Sequence, residues 1–316
     1  MGPEAPTEET VAGCLRDATR ALNASPMCES SRLDAEVLLG HVLGWSKSKL
    51  HTHITDRIAE RARQEFWALI ARRKEGVPIA YLVGWKEFYG RRFWVRPGVL
   101  VPRPETELLV EVALGLLKQS PGASQLLDLC CGTGCIGVTM ALETLTGQVT
   151  AVDVDPEALA QSEENVRFFG VESRVKVIES DLFKGLEGTL FDLIVSNPPY
   201  VGTDIGPRPD PEVVAHEPGG ALFSGSDGTD HLQAIVERAP AHLIEGGSLV
   251  VECASFQAEK VEAWMAERGY SQTRLWHDLS GLPRGVSGRW EGQLSEKERA
   301  SEFRLGPPPG DDPQRA

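Results

Sequence analysis

The chain has 316 residues, 41% of them hydrophobic and 25% charged, ordinary for a folded protein with a sizeable core. Its net charge of −14 argues against broad binding along a phosphate backbone, which needs a basic face. Six cysteines do not make a disulfide framework in a chain this long, and a reduced, cytoplasmic protein is the simpler reading.

The opening "MGPEAPTEET" lacks the basic and apolar regions of a signal peptide. No apolar run approaches the length of a membrane span. Residues 7–75 read as helical. "SRLDAEVLLGHVLGW" (31–45) carries apolar residues at helical spacing behind a cap at Ser30 or Ser31, and "RIAERARQEFWALIARRKEG" (57–76) stops at Gly76. A helical domain over 1–76 is expected. Residues 78–107 are rich in aromatic and β-branched residues, and extended strands joined by a turn at Gly90 are predicted. They form a β-hairpin connector over 77–104. Pro102 and Pro104 end it, and Glu105 opens a helix reaching about residue 118.

From residue 124 strand and helix patterns alternate: "SQLLDL", "GQVTAVDVD", "RVKVIES", "FDLIVS" and "GGSLVVEC" as strands, with helices between most of them. Two further strand-like stretches, "SQTRLWHD" and "GVSGRWEG", close the series. This rhythm predicts an α/β fold, a parallel sheet covered by helices on both faces, over 105–291. Residues 292–316, with "PPPGDDP", read as a disordered tail.

Ligands bind such sheets beyond the carboxyl ends of the strands. After the first strand, "LLDLCCGTGCIG" (126–137) places Gly132, Gly134 and Gly137 on the spacing G-x-G-x-x-G. Glycines there permit a tight turn and close ligand approach before a helix N-terminus. The turn alone fits NAD, S-adenosylmethionine or no ligand. Zinc is disfavoured, because Cys130, Cys131 and Cys135 lack a fourth ligand with suitable spacing. After the second strand, Asp153 stands where a carboxylate accepts both ribose hydroxyls of an adenosine, while Asp155, before Pro156, reads as a helix cap. After the third, Asp181 is placed to accept from an adenine amino group and Leu182 to pack on the ring.

"SNPPY" (196–200) follows the fourth strand. Two prolines stiffen the backbone and remove two donors. The Asn197 side-chain oxygen and the Pro198 carbonyl remain as acceptors, with Tyr200 as a flat aromatic face. This set suits a planar –NH2 group whose two hydrogens are both held. Such a nitrogen is a poor nucleophile; two acceptors return electron density to it and aim its lone pair at an incoming carbon.

Asn197–Tyr200 together with the glycine turn resembles the amino-methyltransferases that use S-adenosylmethionine. The connector "GVPIAYLVGWKEFYGRRFWVRPGVLVPRPETELLVE", the N-terminal "LDAEVLLGHVLG", "HEPGGALFSGSDG" (216–228) and "HDLSGLPRGVSGRW" resemble the HemK/PrmC family of release-factor glutamine methyltransferases, over nearly the whole chain before the tail. The resemblance implies a seven-stranded Rossmann-like class I methyltransferase sheet behind a helical domain. It also implies methyl transfer from S-adenosylmethionine, with S-adenosylhomocysteine as product and no metal, to N5 of the glutamine in the Gly-Gly-Gln motif of class-1 peptide chain release factors. By the same resemblance Cys130, Cys131, Gly132, Thr133 and Gly134 hold the methionine part of the cofactor, Asp153 the ribose, and Asp181 and Leu182 the adenine. Asn197, Pro198, Pro199 and Tyr200 bind the glutamine amide, with Asn197 also near the cofactor; Phe88, Arg103 and Glu105 shape the same pocket. No membrane or direct nucleic-acid partner is implied.

One residue departs from the family pattern: Cys130 stands where glycine is usual, and an extended backbone is expected there, because a Cβ disfavours positive φ. Four other readings stay in view. A ribosomal-protein glutamine methyltransferase shares the motifs, and "HEP" (216–218) is compatible with it, whereas "RPETE" favours the release-factor enzyme. A nucleic-acid adenine methyltransferase also uses Asn-Pro-Pro-Tyr; the acidic balance opposes it, although Arg91, Arg92 and Arg96 suggest a small basic patch. An NAD-dependent oxidoreductase explains Gly132, Gly134, Gly137 and Asp153 but not Asn197–Tyr200. A non-catalytic S-adenosylmethionine-binding protein leaves an intact Asn197 and Tyr200 unexplained.

Overall fold

Leu127 and Leu129 pack into one apolar cluster while their neighbour Leu126 packs into another, and Leu249 and Val251 alternate with Val250 in the same way. A strand whose successive side chains are buried on opposite faces belongs inside a sheet covered on both sides. The computed structural model describes residues 10–120, 122 and 125–292. Among these, residues 10–85 and 209–217 form one compact unit, and residues 86–208 and 218–292 another.

The first unit is helical: α1 (Val11–Asn23), α2 (Ser31–Leu43), α3 (Lys47–Thr52), α4 (Glu60–Lys74) and α5 (Ile79–Val83). Thr10 caps α1 by accepting from the Gly13 N–H, and Gly44 closes α2 in the left-handed conformation. Leu15, Leu22, Leu38, Leu39, Phe66 and Ile70 fill its core. The stretch 79–83, expected to be extended, is helical and ends at Gly84 with φ 82°. The strands expected around Gly90 are present as β1 (Trp85–Phe88) and β2 (Arg91–Trp94).

The second unit runs α6 (Glu107–Gln119), β3 (Gln125–Leu129), α7 (Cys135–Glu143), β4 (Gln148–Asp153), α8 (Pro156–Phe169), β5 (Val175–Glu179) and β6 (Phe191–Ser196). After the excursion that contains α9 (Pro211–His216), α10 (Asp230–Arg238), β7 (Leu243–Glu252), α11 (Ala258–Arg268), β8 (Tyr270–His277) and β9 (Pro283–Trp290) follow. The sheet order is β5-β4-β3-β6-β7-β9-β8. The first five strands are parallel and β9 is antiparallel to both its neighbours. Residues of α10 and α11 (Leu232, Ile235, Val261, Met265) cover one face, and residues of α6 and α7 (Leu109, Val110, Ile136, Met140) the other. The expected tail beyond residue 292 lies outside the described residues.

Within the helical unit, α9 is held by charge. Arg73 Nε donates to Asp34 at 2.7 Å and its Nη1 to Glu212 at 2.6 Å, and Nη1 also reaches the Val77 carbonyl at 3.2 Å. Arg73 and Asp34 are buried. Removing the cation from such a set leaves carboxylates without compensation, which costs more than the pair contributes. Arg73→Met is expected to lower stability by about 3 kcal/mol, read as a fall in the urea midpoint without change in the slope.

Candidate active site

The sheet order reverses beside β3: the chain goes outward through β4 and β5, then returns to the other side of β3 with β6. That reversal leaves a crevice at the strand ends. Leu129 pairs with Ser196 across it, and the Ser196 hydroxyl donates to the Leu129 carbonyl at 2.8 Å. The glycine turn and the Asn-Pro-Pro-Tyr loop therefore leave the sheet side by side. In the neighbouring register Asp153 pairs with Glu179, which brings Asp181 and Leu182 to the same end.

A pocket opens there. Cys130, Gly132, Asp153, Asp181, Leu182, Asn197 and Pro199 line it. Val99 and Leu100 of the connector and Val154, Ala158, Pro218, Ala221 and His231 also line it; sequence reasoning assigned none of these seven a pocket role, although Val99, Leu100, Pro218 and Ala221 fall within the motifs that carry the family resemblance. Cys131 and Thr133 are buried within the turn: the Cys131 N–H donates to the Val152 carbonyl, and the Thr133 carbonyl accepts from Asn165 Nδ2. Gly134 has φ 74°, and a Cβ there would strike the Ser162 hydroxyl. Arg103 is half-buried and Glu105 exposed, on the segment leading to Thr106 rather than on the pocket wall. Phe88 is placed elsewhere. It is fully buried in the core, edge-to-face with Phe93 at 6.0 Å, because the hairpin turns this ring under itself.

Cys130 takes φ +62°, so the extended conformation expected for it is not found. It occupies the left-handed region that glycine enters freely and other residues enter at a cost of about 1–2 kcal/mol. The turn requires this, since Cys131 must fold back to bond Val152 while Gly132 meets Asp153. Burial pushes the Cys130 and Cys131 thiols far up and the Cys135 thiol up to about 12, so all three remain protonated and act as apolar filling. Among the described residues no group of three or more His, Cys, Asp or Glu is arranged to hold a metal ion.

Two carboxylates support the turn. Asp153 Oδ2 accepts from the Gly132 N–H at 2.9 Å and Oδ1 from the Asp155 N–H at 3.1 Å, so its orientation is set before any ligand arrives. Asp155 caps α8 as expected, accepting from the Glu157 N–H. Asp128 lies beneath the turn, fully buried. Its Oδ2 accepts from the Gly137 N–H at 2.8 Å, satisfying a free donor in the first turn of α7, while Oδ1 is buried without a partner.

The motif "VPRPETE" is explained by two contacts. Glu107 accepts from the Tyr89 N–H at 2.8 Å, fixing the hairpin. Thr106 Oγ1 accepts from Asn197 Nδ2 at 3.1 Å. Tyr200 donates its hydroxyl to Glu252 Oε1 at 2.9 Å, and burial raises the Tyr200 phenol well above its ordinary value. Glu252, at the end of β7, is completely buried, and its Oε2 has no partner. Burial raises its carboxyl, while the Thr106 and Tyr200 hydroxyls draw it back down. Gly228 completes the frame: its φ is +77°, and a Cβ there would strike the Tyr200 carbonyl. The arginines of the connector are engaged within the protein. Arg91 binds Glu143 and Arg96 binds Glu164, so the basic patch suggested by the sequence is partly neutralised.

The order of the sheet, with its reversal beside β3 and its antiparallel final strands, is that of the class I S-adenosylmethionine-dependent methyltransferases. The crystal structure of the hMettl16 catalytic domain is similar in fold, with a TM-score of 0.54 at 13% identity, covering 70% of this chain and 83% of that one. Two family models match, the PrmC N-terminal domain over residues 14–84 and the methyltransferase small domain over residues 104–205. The release factor glutamine methyltransferase of Geobacter sulfurreducens is 38% identical over 86% of this chain and 94% of its own length. That of Cereibacter sphaeroides is 40% identical over 88% and 98%. The chain belongs to the release factor glutamine methyltransferase family.

Replacing Cys130 by glycine removes the left-handed penalty and restores some unfolded-chain entropy. Cys130→Gly is expected to raise stability by up to about 1 kcal/mol in urea unfolding and to leave transfer activity unchanged or higher. Asp128 sets a pH dependence. Burial lifts its carboxyl from an ordinary value of 3.8 to about 7. The folded protein holds an extra proton between those values, so the stability that this proton confers is full below about pH 4 and is lost as pH rises through about 7. Asp128→Asn is expected to narrow the drop in melting temperature between about pH 5 and about pH 8, measured by calorimetry.

Proposed function

We propose that this chain transfers a methyl group to the side-chain amide nitrogen of the glutamine in the Gly-Gly-Gln motif of class-1 peptide chain release factors. The observation that carries this reading is the adjacency of Asn197 to the glycine turn at the sheet's switch point, in a chain whose relatives are named release factor glutamine methyltransferases.

The residues fit S-adenosylmethionine. Asp153 lines the pocket with each carboxylate oxygen held by one backbone N–H, and its remaining lone pairs are suited to ribose hydroxyls. Leu182 and Val154 flank it as apolar surfaces for a purine. Gly132 and Cys130 bring backbone close to the methionine portion. The cofactor supplies an electrophilic methyl carbon on a sulfonium, whose carbon–sulfur bond breaks with its electrons left on sulfur.

The chain's own part is to make an amide nitrogen nucleophilic. Asn197 Oδ1 and the Pro198 carbonyl accept the two hydrogens of the glutamine –NH2 and hold its lone pair toward the cofactor side of the pocket. Pro198 and Pro199 are buried, so this wall does not relax when substrate binds. Tyr200 offers its ring to the amide plane while its hydroxyl is tied to Glu252. No base removes a proton beforehand: once the new N–C bond forms, the nitrogen is acidic and one proton leaves to solvent, restoring the neutral amide. The enzyme thus works by positioning and by fixed dipoles.

Asn197→Ala is expected to lower kcat/KM by about 10²–10³-fold while S-adenosylhomocysteine affinity changes little. The assay offers tritiated S-adenosylmethionine with release factor, its Gln→Ala variant, ribosomal protein and DNA. Label confined to the wild-type factor is the expected result; label in ribosomal protein or DNA, or full activity of Asn197→Ala, would reject the assignment.

A further inference from the structure

An adenine ring presents two kinds of polar atom at its edge: an amino group that donates and ring nitrogens that only accept. The pocket at the strand ends is rich in acceptors. Asp153, Asp155 and Asp181 line it. A carboxylate meets an amino group or a hydroxyl well, but it opposes a ring nitrogen lone pair to lone pair. A purine held there needs a donor as well.

The lining side chains that carry an N–H or O–H are Ser180, Asn197 and His231. The first two are committed elsewhere. Ser180 shares its hydroxyl proton between the Leu182 and Lys184 carbonyls, each at 2.6 Å, and Asn197 Nδ2 is turned to Thr106 Oγ1 at 3.1 Å. His231 is the second residue of α10 and is half-buried.

The ring of His231 is set by Ser224, which is buried, so the edge of the ring that meets it faces the interior. The Ser224 oxygen accepts from the His231 backbone N–H at 2.9 Å and stands 2.7 Å from His231 Nδ1. A hydroxyl has one proton, and burial obliges it to be given to an acceptor. Nδ1 stands at the distance to receive it, and the neutral ring then carries its own hydrogen on Nε2. The start of α10 also belongs to the side of the pocket formed after β5. Leu232 packs into the same apolar cluster as Leu182 and Phe183, and His231 and Leu182 line the same pocket.

We infer that His231 is a cofactor-binding residue: with Nδ1 held by the Ser224 hydroxyl, its ring donates the Nε2 hydrogen to an acceptor nitrogen of the adenine ring. The inference rests on the S-adenosylmethionine reading proposed above, with the adenine on the side of Asp181 and Leu182. The two edges of recognition are then complementary, Asp181 accepting from the amino group and His231 donating to a ring nitrogen. Ser224 serves twice, since the same oxygen satisfies an N–H in the first turn of α10 while its proton selects the tautomer of the ring.

Substitutions at position 231 separate the donor from the ring. Glutamine carries an amide N–H about as far from the backbone as Nε2, asparagine only about as far as Nδ1, and phenylalanine keeps a ring with no donor. His231→Phe and His231→Asn are expected to weaken S-adenosylhomocysteine binding about tenfold in calorimetry, with His231→Gln within about threefold of wild type. The same variants are expected to weaken 5′-methylthioadenosine, which lacks the amino-acid part, by the same factor. The deaza analogue of S-adenosylhomocysteine in which C–H replaces the contacted ring nitrogen is expected to bind wild type and His231→Phe alike.

Unchanged affinity in His231→Phe and His231→Asn, an equal loss in His231→Gln, or a loss that spares 5′-methylthioadenosine would overturn the inference, the last by moving the contact to the amino-acid part of the cofactor. A wild type that binds no S-adenosylhomocysteine would instead defeat the cofactor reading itself. Melting temperatures without ligand report whether each variant is folded. Should His231→Phe fail to fold, the contrast between His231→Asn and His231→Gln decides alone: equal affinities for the two would reject the role assigned to His231.

Discussion

The side-by-side exit of β3 and β6 is the constraint on which the site depends. Leu129 and Ser196 are partners in the sheet, so the chain after each must leave in the same direction, one into a glycine turn and the other into Asn-Pro-Pro-Tyr. A shift of one residue in either strand would exchange the buried and pocket-facing sides of every residue in it. The alternation of Leu126, Leu127 and Leu129 between two apolar clusters forbids that shift. Hydrophobic burial over the whole sheet thereby fixes where a single side-chain amide stands.

The site is built against local preference. Cys130 sits in the left-handed region, Asp128 and Glu252 are carboxyls buried with one oxygen unpartnered each, and Gly228 is the residue type that leaves room for the Tyr200 carbonyl. Each costs stability, and they gather at one end of the sheet. Such clustering is expected where an arrangement is retained for what it does rather than for how well it folds. The packed clusters on both faces supply the stability that these departures consume, and the connector adds rigidity: Asn165 holds both the Trp94 backbone and the Thr133 carbonyl.

Much of this was legible in the chain. The strands with apolar residues on both faces, the helix opened by Pro156, the hairpin at Gly90 and the loop at Asn197 follow from local pattern, and each is where that pattern puts it. What was hidden depends on partners distant in sequence. Thr106 reads as one residue of a helix start; its partner Asn197 lies 91 positions away. Glu252 is one letter of the strand "GGSLVVEC" in the sequence, and its burial beside Tyr200 appears only in the fold. The 79–83 segment is too short for helical and extended periods to be told apart, and the αL closure at Gly84 decides in favour of helix. Phe88 sits in the motif-rich connector but faces its core. Cys130 was judged by the preference of an isolated residue, whereas the turn's hydrogen bonds override that preference.

The central claim is that an amide nitrogen is held by Asn197 and the Pro198 carbonyl beside the cofactor turn. The most direct measurement is a crystal structure of the chain with S-adenosylhomocysteine and a release-factor fragment carrying Gly-Gly-Gln. The account predicts the glutamine –NH2 within hydrogen-bond distance of both Asn197 Oδ1 and the Pro198 carbonyl, with the cofactor sulfur on the open side of that nitrogen and Asn197 Nδ2 still bonded to Thr106. A glutamine bound away from Asn197, or an Asn197 amide turned so that its nitrogen faces the substrate, would contradict it.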